Sequence, residues 1–226
     1  MFNDIDLSVL LQDLLKASVE SAQMIGIGLF LSLLLGLPFG LILYLTGKGL
    51  LWENRVLALG GNLLVNFVRS LPFVILLILL LPLASFLTGR STGPLSASVP
   101  LAIAAVAFFA RLVQVALAEV DRGVIEAALA CGATNWHIIR YVLLPEAFPG
   151  LLRGFTVTAV SLIGYSAMAG VVGGGGVGFL AINYGYYRYE TDVMIVTVIA
   201  LVIVVQAIQS LGDWAANKKD HKVRDN

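Results

Sequence analysis

Long apolar blocks, each close to the thickness of a bilayer, restrict this chain to one kind of fold. A helix rises about 1.5 Å per residue, so about twenty apolar residues cross the roughly 30 Å of hydrocarbon in a membrane. Five blocks meet that length: Ala22–Leu45, Ser70–Leu87, Val99–Leu117, Leu151–Val172 and Val193–Leu211. Lipid offers no water to a bare backbone, so such blocks pair their own N–H and C=O groups as helices. The chain therefore reads as an all-α integral membrane protein with a five-span helical bundle. Composition agrees, with 59% apolar and 12% charged residues, where soluble domains carry about 25% charged.

The few charges set the direction of the chain. Lys and Arg collect on the cytoplasmic side of spans. With the N-terminus outside, that side holds Lys48, Arg55, Arg122, Arg140, Arg153, Lys218, Lys219, Lys222 and Arg224, while the outer side holds Lys16, Arg90 and Arg188. Nine against three predicts N-out and C-in. Arg69 and Arg111 fall toward the cytoplasmic ends of spans two and three, where a long side chain snorkels to the headgroups. A charge inside a span is also a candidate for a transport role, and anchoring is preferred for both. Before the spans, residues 1–21 place Leu7, Leu10, Leu11, Leu14 and Leu15 on one face, with Asp6, Asp13 and Lys16 off it. This predicts an amphipathic helix lying in the interface; the alternative is the first turn of span one. Residues 212–226 are expected to form a polar cytoplasmic tail after the five-span membrane domain at 22–211.

Several functions are excluded or left without support. Net charge is zero, with no basic stripe for nucleic acid. One cysteine and two histidines allow no disulfide framework and leave no set of zinc ligands. Gly173, Gly175 and Gly178 have dinucleotide-fingerprint spacing, but they follow a membrane span rather than a strand, so a tight packing turn is the better reading. Gly36-Leu37-Pro38-Phe39-Gly40 in span one is read as helix–helix contact with a kink. No Walker A pattern is present. His137 alone could act as a base near neutral pH, and it lies in a polar loop beside Trp136. No catalytic residue is assigned. An intramembrane enzyme would need an acid or histidine at mid-span, which no block supplies.

That polar loop, residues 119–145, is too long for a turn and too charged for lipid. It predicts two short helices: Gly132 supplies a left-handed stop to the first, Thr134 caps the second, and Pro145 ends it. A bent pair of helices beside the membrane suits docking better than linking, and a passive channel gives no reason for one.

The same residues carry a resemblance. Glu126-Ala127-Ala128, then Gly132-Ala133, then Val142-Leu143-Leu144-Pro145 resembles the loop signature of type I ABC importer permeases, with Val142 where isoleucine is commoner. Arg69-Ser70-Leu71-Pro72-Phe73, Gly164-Tyr165-Ser166-Ala167-Met168, the glycines at 173–176 and Tyr184-Gly185-Tyr186 look like the methionine-importer subfamily. The likeness runs from about Ala22 to Leu211. It implies a homodimeric permease in the bacterial inner membrane that imports methionine, including D-methionine, or another small amino acid or related solute. The partners implied are an ATP-binding cassette ATPase, which binds the ATP and Mg, and an extracytoplasmic substrate-binding lipoprotein. This chain would hold no cofactor. Glu126, Ala127, Ala128, Gly132, Ala133 and Pro145 are the expected ATPase-coupling residues.

Two further groups are singled out. Thr158, Ser161, Tyr165 and Met168 fall three or four apart in span four, so they share one helical face. Their hydroxyls could replace water around a polar solute, and a methionine suits an apolar constriction. Hydrogen bonding between helices would use the same hydroxyls; because Tyr165 and Met168 belong to the family-like stretch, the pathway reading is preferred. Tyr184, Tyr186, Tyr187 and Tyr189 crowd the last outer loop. An interfacial aromatic belt and a docking surface for the binding protein both fit them.

Overall fold

The computed structural model describes residues 7–219, and every regular element among them is helical. Helix α1 (Leu7–Leu31) passes through a π-helical turn at Ser32–Gly36 into α2 (Leu37–Leu45). Val9–Leu45 is thus one rod of 37 residues, about 55 Å long and well over the thickness of a bilayer. No break sets residues 7–21 apart. The expected interfacial helix is the free end of this rod, because Leu10 and Ala17 bury themselves against Val177, Leu180 and Val193 instead of lipid. Residues 1–6 of that segment lie outside the described residues. Further along, Gly36 and Gly40 lie against the backbone of Val106 and Ala110. A side chain at Gly40 would strike the Ala110 carbonyl, so the expected close contact is real.

Span two differs from expectation. Asn54 accepts hydrogen bonds from the amides of Val56 and Leu57, both at 3.1 Å, and so caps α3 (Arg55–Ser70), a helix that hydropathy alone does not reveal. The chain then turns by 108° into α4 (Phe73–Thr88). Pro72 causes the break: its ring bars helical geometry at the preceding residue, and Leu71 is extended with ψ 131°. The expected span Ser70–Leu87 is therefore the second half of a broken pair.

Helix α5 (Pro94–Ala118) is the hub, packed against α1, α2, α3, α4 and against α8 (Leu144–Val171). Alanines at 102, 104, 105, 107 and 110 are buried along it, which lets its neighbours approach closely. Two large apolar clusters pack along α5. One joins Met24, Phe73, Leu77, Leu101 and Leu162; the other joins Leu45, Phe109, Val113, Leu117 and Leu143. Between α5 and α8 lie α6 (Arg122–Ala130) and α7 (Asn135–Ile138). Pro145 does not end a helix there. Asn135–Val171 is continuous over 37 residues, because a π-helical turn at Ile139–Leu143 immediately precedes the proline and relieves its ring from the carbonyl behind it. After α8, α9 (Gly176–Leu180) and a π-helical stretch, Ala181–Tyr187, lead to α10 (Thr191–Lys219). Residues 212–219 of the expected tail continue α10, and 220–226 lie outside the described residues. Among the described residues, four helices are long and apolar enough to span, and the α3–α4 pair makes five if counted as one.

Candidate functional site

The elbow between α6 and α7 is built by local bonding. Asp121 caps α6 by accepting the Gly123 amide at 2.7 Å. At the other end, the Ala133 amide donates to Ala128 O at 3.1 Å and the Gly132 amide to Leu129 O at 2.9 Å. This is the double closure of a Schellman motif, which needs a left-handed residue; Gly132 has φ +80°. Thr134 then caps α7, accepting the His137 amide at 3.4 Å, while its hydroxyl meets His137 Nδ1 at 2.6 Å. His137 is thereby committed to the turn. No residue of α6 is buried. Glu126 and Ala127 are exposed, Ala128 and Ala133 are half-buried, and Pro145 is exposed at the start of α8. Val124, Leu129, Trp136 and Tyr141 stand exposed around them. The result is an apolar surface on a rigid elbow, joined without interruption to α8.

The span-four stripe is split by its neighbours. Thr158 is buried at 1% exposure, and its hydroxyl donates to Gly154 O at 2.8 Å. It serves packing within the chain. Ser161 returns its hydroxyl to Val157 O at 2.8 Å. Tyr165 is half-buried, its ring stacked on Phe73 with centroids 4.5 Å apart. Met168 is 45% exposed, and a Cβ at Gly164 would meet nothing within 4 Å. Val157, Gly164 and Met168, with half-buried Ser161 between them, thus mark the open line along α8.

At the end of the bundle remote from α6, the glycine turn is closed by side chains from α1. Gly173, Gly175 and Gly176 all have positive φ. The Gly176 amide donates to the Glu20 carboxylate at 2.8 Å and the Val177 amide to Ser21 Oγ at 3.0 Å. The four tyrosines separate. The Tyr184 hydroxyl donates to Asp13 at 2.7 Å, and the Arg188 guanidinium lies 4.5 Å from its ring centre. The hydrogen bond to Asp13, helped by burial, raises its pKa above that of a free tyrosine. Tyr186, Tyr187 and Tyr189 are exposed. Beneath Tyr184, a cavity of about 480 Å³ is lined by Asp13, Glu20, Gly93, Gly173 and Asn183.

Two polar features at the helix crossings differ from the anchoring expected of Arg111 and Arg69. Arg111 donates to Gln114 at 3.0 Å, and Gln114 donates to Asn62 at 3.1 Å, tying α5 to α3. Only the polar residues inside apolar stretches hint at this. The second is Arg69, expected at the cytoplasmic end of a span. It instead sits at the α3–α4 break, 5.8 Å from the Phe108 ring centre, only two residues from Val106 at the middle of α5.

A bundle with a broken second span and an exposed bent elbow feeding a long helix has clear relatives. Residues 36–225 match the family described as binding-protein-dependent transport system inner membrane component. The chain belongs to that family. It is a multi-pass inner-membrane transport subunit with the type I ABC importer permease fold. Over 209 residues this permease is 46% identical to the probable D-methionine transport system permease protein MetI of Vibrio cholerae, covering 92% of this chain and 93% of that one. It is 46% identical over 181 residues to the methionine import system permease protein MetP of Bacillus subtilis, covering 80% and 82%. A solved structure of the MetNI methionine ABC transporter in inward-facing conformations superposes with a TM-score of 0.92 at 40% identity, covering 96% of this chain and all of that one.

Proposed function

We propose that this permease is the membrane subunit of an ATP-driven importer of methionine, D-methionine included. It works as a homodimer with an ABC ATPase and an extracytoplasmic binding lipoprotein. The observation that carries the reading is the continuity of Asn135–Val171. One rod bears both the elbow at Gly132–Thr134 and the open line at Met168. Trp136 and Met168 are 32 residues apart on it, about 48 Å. Movement of an ATPase that grips Glu126, Ala127, Ala128 and Ala133 passes through the Gly132–Thr134 elbow into this rod and swings Met168, with only the π turn between Asn135 and Met168. Methionine as substrate comes from the names of the relatives.

Five spans enclose little space, so the path runs between two copies. Met168 of each copy closes it, and Ser161 and Tyr165 line it toward the α6 end. Thr158 supports α8 from behind. With the N-terminus outside, the elbow faces the cytoplasm, and exposed Tyr186, Tyr187 and Tyr189 receive the binding protein. Tyr184 instead braces that surface through Asp13.

The deciding experiment reconstitutes the permease with its ATPase and binding protein in vesicles. ATP-dependent accumulation of labelled L- and D-methionine is expected. Accumulation of a different amino acid that methionine fails to inhibit would replace the substrate, and uptake indifferent to ATP would remove the importer reading.

A further inference from the structure

We infer that Arg69 binds the carboxylate of the transported amino acid inside the membrane, at the break between α3 and α4. The inference rests on the amino-acid import reading above and adds a site to it.

Depth comes first. Arg69 lies beside Phe108, ten residues before the end of α5 at Ala118, which is about 15 Å along the helix. That is beyond the reach of an arginine side chain, so snorkelling to the headgroups at that end does not account for it. A cation at such depth needs a partner or a polar path. Among the described residues no carboxylate pairs with Arg69; its neighbour is the Phe108 ring at 5.8 Å.

Space comes second. Arg69 borders a cavity of about 120 Å³ walled by Phe73, Ala104, Phe108 and Tyr165. That is room enough for the head of an amino acid. Phe73 and Tyr165, stacked 12° from parallel, supply its aromatic surface.

The chemistry of these groups matches one class of ligand. A guanidinium pairs with a carboxylate through two parallel N–H···O bonds. Aromatic faces attract an ammonium and make favourable contacts with a thioether. Broken helices at mid-membrane are where transporters form such sites, since irregular backbone is tolerated only beside a cavity. Tyr165 is one helical turn from Met168, so the site lies just past the proposed gate on the side of the elbow. Substrate released by the binding protein would meet Arg69 next.

Equilibrium dialysis of labelled methionine against the purified permease–ATPase complex, with no binding protein present, tests the site. N-acetylmethionine, which keeps the carboxylate, is expected to compete, and methioninol, which lacks it, is expected to fail. Arg69→Gln should weaken binding tenfold or more, with Arg69→Lys intermediate. No methionine binding to the wild-type complex, or equal competition by methioninol, overturns the inference; so does wild-type affinity in Arg69→Gln. Should Arg69→Gln fail to assemble, the wild-type competition still decides. Vesicle uptake separates the two levels. Failure of the wild-type complex to import methionine removes the import reading, whereas normal import by Arg69→Gln removes only this site.

Discussion

Glu20 in α1 accepts the backbone amide of Gly176 at 2.8 Å across 156 positions of chain. Beside it, Ser21 accepts the Val177 amide at 3.0 Å. Helix starts leave amides without partners, and these two are satisfied by a different helix. The bonds tie the glycine turn after α8 to the rod that opens the chain. Glu20→Ala leaves the Gly176 amide unpaired and should cost about 1–2 kcal/mol, read as a lowered melting temperature of the purified complex. Glu20→Gln keeps an acceptor and should lose less. Equal melting of Glu20→Ala and wild type would mean that water replaces the carboxylate at no cost.

The orientation is tested with Cys131, the single cysteine of the chain. It is exposed at the end of α6. With the N-terminus outside, its thiol faces the cytoplasm. A membrane-impermeant maleimide should spare it in intact cells and label it in inverted vesicles. The reverse pattern would turn the permease over.

At Gly132 the constraint is torsional and not spatial. A Cβ at this position would meet nothing within 4 Å, yet φ is +80°, which costs a β-branched residue about 1–3 kcal/mol. Gly132→Val should open the Schellman closure and misdirect α7, while Gly132→Asn, which tolerates the left-handed region, should retain most function. The measurement is ATP-driven uptake at matched expression, with at least a tenfold loss expected for valine only. Equal loss in both variants would indicate that side-chain bulk at the ATPase contact is the problem.

Local chemistry in the chain was legible. Gly132 as a left-handed stop and Thr134 as a cap rest on neighbours within a few residues, whereas the Gly36–Gly40 spacing marked a close-packing face without naming its distant partners, Val106 and Ala110. Hydropathy also located the long helices, although it missed α3, whose apolar residues alternate with Asn62, Asn66 and Arg69 around the helix. Tertiary pairings were not legible. Glu20 meets Gly176, and Asn62 meets Gln114, across 156 and 52 positions, with no local mark on either partner. Pro145 shows the opposite failure. A sound rule about proline yielded because a π turn next to it made room. Thr158 and Met168 share a helical face, but only the packing of α8 reveals that one is buried and the other open.

The gate is tested at Met168. It is 45% exposed on α8, one turn beyond Tyr165, on the line it shares with Val157, Ser161 and Gly164. Two copies related by a two-fold axis would set two such side chains facing one another. An apolar plug of this kind blocks water and ions because it offers them no hydrogen bonds, and the flexible thioethers part when the helices rock. Met168→Ala removes most of the plug and should raise leak of substrate through vesicles and ATP turnover without binding protein, by severalfold in each. Met168→Leu conserves volume and should stay near wild type. If the side chain instead packs against a neighbouring helix of the partner copy, alanine would lower the melting temperature and leave both leak and basal turnover unchanged. Measuring the three quantities on the same preparation separates a gate from a packing contact, because only a gate couples the loss of volume to the movement of solute.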